Sequence, residues 1–339
     1  MSPSATSAPS YSQRRIGTLQ ALHVPLGLPA SDLLALAERA DGLYRVAKRI
    51  TKPDGSIRIA YDTLDPLKGV HRRVKSQILD HVSYPAYLTG SIKGCDAKVN
   101  ASLHARARIV INEDISGFFP STSADRVFSI WHNFFGFSEE VARCLTRLTT
   151  RHGELPQGAI TSSFLANLVF WRDEPALHDK FAAQGLVYSR YVDDIAVSSK
   201  TFLTNKEKTD VIRQVYGMLL KHGYRAKRAK HEIATSARRM AVTKLAVNSK
   251  PGLDGATRDK TRAVVQAVEQ RSAQGEVLSF DRGPYAQAMG KVLHLERFHP
   301  GDAAPLKRRL LALKEAAASI TSSHPSTWRP NEKKLGSHS

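Results

Sequence analysis

The fold of this chain is decided by the stretch Leu186-Val-Tyr-Ser-Arg-Tyr-Val-Asp-Asp-Ile-Ala-Val-Ser-Ser199. Tyrosine, valine and isoleucine dominate both halves, which predicts two short β-strands. Two adjacent carboxylates, Asp193 and Asp194, stand at the bend between them. Unit charges about 4 Å apart repel by roughly 4 kcal/mol at an effective dielectric constant near 20, and a bound cation would relieve this repulsion. Carboxylate oxygens are ligands that suit Mg²⁺, so one interpretation is a metal site. The alternative interpretation is an exposed turn, because aspartate is common in turns.

A third carboxylate would favour the metal site over the exposed turn, and Asp114 is the candidate. The segment Arg106–Ile115 has the composition of a buried strand that ends near Asp114, and the glycine and proline of Ser116–Ser121 break it. If Asp114 lies beside the Asp193–Asp194 bend, the three carboxylates can hold two Mg²⁺ ions. Such a pair of ions stabilises the attacking and leaving oxygens of an in-line phosphoryl transfer.

Three motifs resemble, in their order and spacing, the palm motifs of reverse transcriptases. They are Asp114-Ile-Ser-Gly-Phe-Phe119, Leu155-Pro-Gln-Gly158 and Tyr191-Val-Asp-Asp194. The resemblance extends from about Tyr44 to about Leu310. It implies an RNA-directed DNA polymerase with an α+β fold of the right-hand type, which has fingers, a palm with an antiparallel sheet packed on helices, and a helical thumb.

The resemblance also implies a division of the chain. The serine-, proline- and alanine-rich start, Met1 to about Ser12, predicts disorder. The expected boundaries are residues 1–30 for a partly disordered N-terminal extension, 31–105 and 150–182 for the fingers, 106–149 and 183–250 for the palm, 251–320 for the thumb, and 321–339 for a flexible tail.

The catalytic residues implied by the resemblance are Asp114, Asp193 and Asp194. Together with the backbone of Ile115 they would bind two Mg²⁺ ions, with Mn²⁺ as a substitute. The backbone from Ile115 to Gly117 would carry the triphosphate of the incoming deoxynucleotide.

Basic residues of a hairpin are further candidates for binding this deoxynucleotide. Residues 44–50 and 56–61 alternate basic and apolar side chains around Pro53-Asp-Gly55, which predicts a β-hairpin. By resemblance this is the fingers hairpin, and Lys52 and Arg58 would face the triphosphate. The alternative is a solvated basic edge strand, which discourages edge pairing.

Three more side chains are expected in the nucleotide pocket. Gln157 can donate and accept hydrogen bonds, so it could support the nucleotide or the template base. Lys230 best matches the lysine proposed in the family to protonate the pyrophosphate leaving group; the alternative is a basic run that binds phosphates. An aromatic ring at Phe119 would clash with a ribose 2′-hydroxyl and so select deoxynucleotides, whereas Phe118 or both rings could belong to the core.

Two segments resemble the retron subgroup of this family. Asn100-Ala-Ser-Leu-His104 matches its Asn-Ala-x-x-His segment, and Val242-Thr-Lys244 resembles its Val-Thr-Gly region with lysine in place of glycine. Spacing alone would make His104 a histidine without a function. The resemblance instead implies subgroup-specific elements that contact RNA or support the palm. Alternation in residues 240–248 predicts that the second segment is a strand.

The subgroup implies a cognate structured noncoding RNA as partner, priming from a 2′-hydroxyl within it, and a branched RNA–DNA product. It also implies antiphage defence with an effector protein, which would be a separate polypeptide. The rivals are another bacterial reverse transcriptase, such as an intron-type enzyme, and a non-catalytic RNA-binding protein on the same fold.

The composition agrees with a nucleic-acid partner. Among 339 residues, Lys plus Arg is 50 and Asp plus Glu is 31, a formal charge of +19. Such an excess favours phosphate contacts, although a basic protein without a nucleic-acid ligand is the alternative. Two cysteines without metal-type spacing, no apolar run of about 18 residues and no apolar signal core predict a cytoplasmic protein without a membrane segment. The resemblance implies that it is bacterial.

Overall fold

The computed structural model describes residues 7–52 and 55–322, and within them the chain forms two compact units. The first ends at Pro251 and the second begins at Gly252. The first unit mixes helices with antiparallel sheets, and the second is helical within its described part. No helix in the described ranges combines the length and apolarity needed to cross a bilayer.

The strands, in chain order, are β1 (Ser10–Tyr11), β2 (Tyr44–Thr51), β3 (Ile57–Thr63), β4 (Val82–Ser83), β5 (Ile109–Asp114), β6 (Leu186–Tyr191), β7 (Asp194–Ser199), β8 (Glu232–Thr235), β9 (Ala241–Val242) and β10 (Leu245–Ala246). The helices are α1 (His23–Leu26), α2 (Ala30–Glu38), α3 (Leu67–Gln77), α4 (Ala97–Leu103), α5 (Ala124–Ser129), α6 (Glu139–Thr149), α7 (Ser162–Asn167), α8 (Glu174–Ala183), α9 (Asn205–Lys221), α10 (Gly255–Ala273), α11 (Gly283–Glu296) and α12 (Pro300–Ser322).

The central sheet has four antiparallel strands in the order β6-β7-β5-β8. Its strands are rich in valine, isoleucine and tyrosine, and β5 and β7 bury nearly all their residues. A sheet that is buried to this extent needs cover on its faces. Helices α4 and α8 pack against β6. The predicted hairpin around Asp193 is therefore the β6–β7 pair in this sheet.

Most helices of the first unit share an apolar core with part of the central sheet. The longest of its helices, α9, begins with a capping box, in which the Thr204 side chain accepts from the Glu207 amide and the Glu207 carboxylate accepts from the Thr204 amide. Helix α6 begins at the Ser138 cap and buries an apolar stripe that includes Val141, Leu145 and Leu148. Side-chain caps also begin α4, at Asp96, and α5, at Ser123.

The N-terminal segment corrects one prediction. Residues 7–12 were expected to be disordered, but Ser10 and Tyr11 pair with Ser83 and Val82 as β1 and β4. The Tyr11 ring meets the Phe135 ring edge-on at 4.7 Å between centroids, which anchors this strand to the core. The disorder predicted for residues 1–6 lies outside the described residues, as does most of the predicted tail, although α12 extends to Ser322.

Residues 240–248 also differ from the prediction. They form a hairpin of two-residue strands, β9 and β10, and not one strand. The turn residues Thr243 and Lys244 have φ angles of 47° and 68°. Two consecutive positive φ values are typical of a type I′ hairpin turn, which the alternation of residue types cannot reveal.

The second unit packs α10, α11 and α12 around their own apolar core. Its buried side chains include Val265, Val292, Leu295 and Leu310. Helix α10 begins at Asp254, whose side chain accepts from the Thr257 amide. The unit begins one residue after the predicted start of the thumb.

Candidate active site

Three carboxylates meet at one end of the central sheet. Asp114 ends β5 and lies directly opposite Asp194, the first residue of β7. Opposed residues of neighbouring antiparallel strands project from the same face, with Cβ atoms about 5 Å apart. Asp193 occupies the turn before β7, and its carbonyl accepts a 2.9 Å hydrogen bond from the Ile115 amide. The sheet register thus brings together residues that are 79 or more positions apart in the sequence.

The carboxylates perturb one another. Desolvation in the cleft, followed by the charges of Asp193 and Asp114, raises the pKa of Asp194 to about 6. Desolvation also raises the pKa of Asp193, against the opposing effects of its own backbone and of the Lys230 and Arg58 charges. A raised pKa means that the ionised carboxylate is disfavoured, here by burial and by the neighbouring negative charges. Such a group of oxygen donors suits a divalent cation.

Lys230 supplies part of the missing positive charge. Its ammonium donates to the Asp114 carboxylate, and the Asp114 side chain is 7% exposed while that of Lys230 is 54% exposed. In the described ranges no three His, Cys, Asp or Glu side chains are already arranged to hold a metal ion. The three aspartates nevertheless suit divalent ions by their oxygen donors and their charge, and Lys230 would have to release Asp114 when ions enter.

A cavity of about 970 Å³ opens beside the carboxylates. Its walls contain every residue that the sequence placed in the nucleotide pocket. These are Lys52, Arg58, Ile115, Ser116, Gly117, Phe118, Phe119, Gln157 and Lys230, together with Asp114 and Asp193. Sequence reasoning gave no role to other lining residues, namely Tyr61, Arg151, His152, Glu154 and Lys227. The volume and the basic side chains suit a nucleoside triphosphate.

The Arg151–Glu154 turn, to which the sequence motifs assign no role, is closed by backbone hydrogen bonds. The backbone groups of Arg151 and Glu154 bond to each other in both directions, and His152 and Gly153 have φ angles of 50° and 77°. Arg151 stacks over the Tyr61 ring at 4.6 Å from its centroid. The His152-Gly153 dipeptide directly before the Leu155–Gly158 motif was the signal for this turn.

The β2–β3 hairpin is fastened to the Leu155–Gly158 loop. The Tyr61 amide donates to the Gln157 carbonyl at 2.7 Å. Gly158 has φ of 98°, and a Cβ there would lie 2.7 Å from the Tyr61 carbonyl oxygen. Glycine is needed for this close backbone approach. The contact fixes β3, which carries Arg58, next to Gln157.

The backbone expected to carry the triphosphate is partly committed elsewhere. The Ile115 amide donates to the Asp193 carbonyl, and the Ser116 amide donates to the Arg225 carbonyl at 2.8 Å. These two amides therefore do not face a phosphate in this conformation. Of the backbone from Ile115 to Gly117 that was predicted to bind the triphosphate, the Gly117 amide remains the candidate donor. Gly117 has a positive φ of 53°.

The two phenylalanines have different surroundings, although they lie in a turn after β5 and not in an extended strand. Phe118 is 2% exposed and packs on Phe170 and Tyr224, with ring centroids 6.3 and 5.4 Å away. Phe119 is only partly buried and lines the cavity. Of the two rings, Phe119 is the one that a sugar in the cavity could meet.

The predicted subgroup residues Asn100 and His104 lie in and directly after α4, behind the sheet and away from the cavity lining. Both are 1% exposed. His104 bonds through Nδ1 to the Ser198 hydroxyl and through Nε2 to the Ser189 hydroxyl, each at 2.7 Å. Asn100 accepts from the Thr89 hydroxyl at 2.8 Å. Because both are buried in these contacts, the geometry favours the second of the two expectations, support of the central sheet, over direct contact with RNA.

The second subgroup segment, Val242 to Lys244, touches the first. Val242 is buried, and the Thr243 hydroxyl donates to the Ala97 carbonyl at the start of α4 at 3.1 Å. Lys244 is exposed at the tip of the hairpin with φ of 68°. A positive φ explains why relatives would use glycine here, and why Lys244 is strained. Of the five subgroup residues, Lys244 presents a charged side chain to solvent.

Comparison with known proteins gives consistent results. The family model for reverse transcriptase (RNA-dependent DNA polymerase) matches residues 50–272. The Retron Se72 reverse transcriptase of Salmonella heidelberg (strain 579083-10) is 31% identical over 303 residues, which cover 88% of this chain and 80% of that protein. The Retron Ec48 reverse transcriptase of Escherichia coli is 28% identical over 320 residues, 90% of this chain and 78% of that protein. Among solved structures, apo telomerase from Candida tropicalis, truncated from its C-terminal domain, matches with a TM-score of 0.40 and 12% identity over 67% of this chain and 61% of that one.

Proposed function

This chain belongs to the reverse transcriptase family and to its retron group, so it is an RNA-directed DNA polymerase with the right-hand α+β fold, and from that premise we propose what it copies and how. It binds a cognate structured noncoding RNA and primes from a 2′-hydroxyl inside that RNA. It then copies part of the RNA into branched multicopy single-stranded DNA. The enzyme acts in the bacterial cytoplasm, in antiphage defence, with a separate effector protein.

The observation that carries the catalytic part is the meeting of Asp114 with Asp193 and Asp194 beside the basic cavity. These carboxylates would hold two Mg²⁺ ions, with Mn²⁺ as a substitute. When bound, the ions would lower the pKa of the primer hydroxyl and neutralise charge on the triphosphate. A cluster of mutually repelling carboxylates is costly for a protein that only binds RNA, which argues against the non-catalytic alternative.

The remaining cavity residues act on the incoming nucleotide. Lys52 and Arg58 bind its phosphates, and Arg58 is close enough to lower the pKa of Asp193. Gln157, whose backbone is fixed by Tyr61, supports the nucleotide or the template base. Phe119 excludes the ribose 2′-hydroxyl. Lys230, once displaced from Asp114, meets the pyrophosphate.

The proposed binding of RNA depends on the positive charge of the protein and on the β9–β10 hairpin, which carries Lys244. The formal charge of +19 favours a polyanion through the release of its counterions. Exposed Lys244 can contact a phosphate, while Val242 and Thr243 hold its hairpin against α4. Asn100 and His104 act indirectly, by keeping α4 fixed to the palm strands.

The first test is to sequence the nucleic acid that copurifies with the protein. A small branched RNA–DNA species supports the retron reaction, and a long intron-derived RNA would support the intron-type alternative. The second test compares the Asp193→Asn/Asp194→Asn variant with a surface control, Asp210→Asn. We expect the double variant to lose primer extension and keep RNA binding, while the control keeps both. Equal extension by all three proteins would remove the catalytic assignment.

A further inference from the structure

The turn that carries Asp193 contains an unfavourable backbone conformation. It joins β6 to β7 through Val192 and Asp193, and Val192 has φ of 59°. A two-residue hairpin turn with positive φ at its first position favours glycine, and a β-branched side chain there is an outlier. Such a conformation persists only when the surrounding structure enforces it. The groups that enforce it therefore control where Asp193 points.

One of these groups is the side chain of Arg190. Arg190 is 0% exposed, and its Nη1 donates to the Val192 carbonyl at 3.1 Å. Its Nη2 donates to the Asn167 carbonyl at 2.9 Å. The planar guanidinium thus reaches the strained turn residue from inside the protein, and Arg190 itself lies two positions earlier, near the end of β6.

Glu174 fixes the orientation of this guanidinium. Its Oε1 accepts from Arg190 Nε at 2.6 Å and its Oε2 accepts from Nη2 at 2.7 Å. The Tyr188 hydroxyl also donates to Oε1 at 2.7 Å, and Glu174 is 1% exposed. A bidentate pair of this kind specifies direction as well as attraction. A lysine could not reproduce it, because an ammonium lacks the planar fork.

A second contact with the turn is made by the backbone at Gly90. A Cβ at Gly90 would collide with the backbone nitrogen of Val192 and lie 2.6 Å from its Cγ2 atom. The Gly90 carbonyl accepts from the Asn167 side-chain amide at 2.7 Å. Asn167 therefore joins both supports, one through its backbone carbonyl and the other through its side chain.

We propose that Arg190, oriented by Glu174, is a positioning residue that fixes the Val192 carbonyl and thereby aims Asp193 at the metal site. Asp193 also accepts from the Ile115 amide, next to Asp114, so rotation of the turn would change the spacing of the two carboxylates. Replacing a buried ion pair by apolar residues is often neutral for stability, so geometry is the reason to keep this one. The inference rests on the proposed role of Asp193 as a metal ligand.

The test removes both charges together, in the variant Glu174→Gln/Arg190→Met, because a single change would leave an unpaired buried charge. We expect a folded protein with unchanged RNA binding and a lower melting temperature, because the carbonyls of Val192 and Asn167 lose their donor. We expect kcat to fall between about 10-fold and about 100-fold with KM for the nucleotide unchanged, as misplacement of a catalytic group by about 1 Å produces. The matched control is Glu139→Gln/Arg143→Met, which removes an exposed ion pair on α6.

A metal-binding measurement gives a readout besides activity. Mn²⁺ binding to the RNA-free protein, followed by electron paramagnetic resonance, should weaken in the Glu174→Gln/Arg190→Met variant. Adding Val192→Gly should restore Mn²⁺ affinity and most of kcat, since glycine adopts the positive φ without the support. If the double variant loses its melting transition, Arg190→Lys replaces it, because lysine keeps the charge beside Glu174 without the fork.

Wild-type kcat and Mn²⁺ affinity in the double variant, or no recovery with Val192→Gly, would overturn the inference. This failure differs from failure of the proposed function. Extension by Asp193→Asn would remove the metal-ligand role itself. Loss of extension in Asp193→Asn, with normal activity in the Glu174→Gln/Arg190→Met variant, would remove only the positioning role of Arg190.

Discussion

Lys230 donates to the carboxylate of Asp114, a residue 116 positions earlier in the chain. Burial lowers the pKa of Lys230, but the hydrogen bond to Asp114 and the nearby carboxylate charges raise it overall. The ammonium thus occupies a position where a divalent ion would compete for the same oxygen. Displaced by that ion, it would remain at the edge of the cavity, next to the phosphates of the nucleotide.

Substitutions at Lys230 separate proton donation from phosphate binding. We expect Lys230→Met to lower kcat about 100-fold, as loss of a general acid does. Lys230→Arg should recover less than about a tenth of the lost kcat, because a guanidinium keeps its proton at any working pH and so cannot act as a general acid. Single-turnover extension rates measure both. Full recovery by arginine would assign phosphate binding alone, and Lys227→Met, in the same cavity, controls for the loss of one positive charge.

Phe119 should determine sugar selectivity. We expect Phe119→Ala to raise the relative incorporation of ribonucleotides by about 10-fold or more, because the ring no longer meets the 2′-hydroxyl. The measurement is the ratio of kcat/KM for a deoxynucleotide and its ribonucleotide. Phe118→Leu is the control: it should lower stability by about 1 kcal/mol and leave the ratio unchanged, since Phe118 lies in the core. A normal ratio in Phe119→Ala would assign discrimination to another group.

His104 should make the folding stability of the protein sensitive to acid. Burial lowers its pKa from 6.5 to about 4. Below pH 6.5 the unfolded chain therefore takes up a proton that the folded chain cannot, so folding stability falls as the pH falls from about 6.5 to about 4. Between pH 6 and pH 5 we expect wild type to lose about 1 kcal/mol relative to His104→Gln, which does not titrate.

Urea unfolding at both pH values measures this difference. His71, whose pKa burial also lowers to about 4, is present in both proteins and cancels in the comparison. Parallel stability curves for wild type and His104→Gln would contradict the buried, neutral histidine.

We expect Lys244 to lower the stability of the folded protein through its positive φ and to strengthen RNA binding through its charge. We expect Lys244→Gly to raise the free energy of unfolding by about 1 kcal/mol, because glycine adopts the positive φ without penalty. Lys244→Ala keeps the strain and loses the charge, so it should not gain stability.

RNA binding distinguishes the two effects at this hairpin. Both substitutions should weaken RNA affinity equally and reduce its salt dependence by about one counterion, if Lys244 contacts a phosphate. Filter binding across a range of salt concentrations measures both quantities. Unchanged affinity in both variants would place the RNA elsewhere.

The sequence by itself determined the family and the strands around Asp193, and it predicted which residues would lie in a nucleotide pocket. These features depend on short motifs and on the two-residue period of strands, both of which are local. Every residue predicted for that pocket lines the cavity. The sequence could not show the conformation of Thr243 and Lys244, because alternation is the same in one strand and in a tight hairpin.

Only the tertiary structure decided which side chains face which. The register of β5 against β7 sets Asp114 opposite Asp194, and a shift of one residue would turn Asp114 to the other face. Packing of α4 against the sheet buried His104 between the hydroxyls of Ser198 and Ser189, which favours a supporting role over contact with RNA. The role of Arg190 could not be predicted either, because its partners Glu174, Asn167 and Val192 are assembled by folding and no local pattern links them.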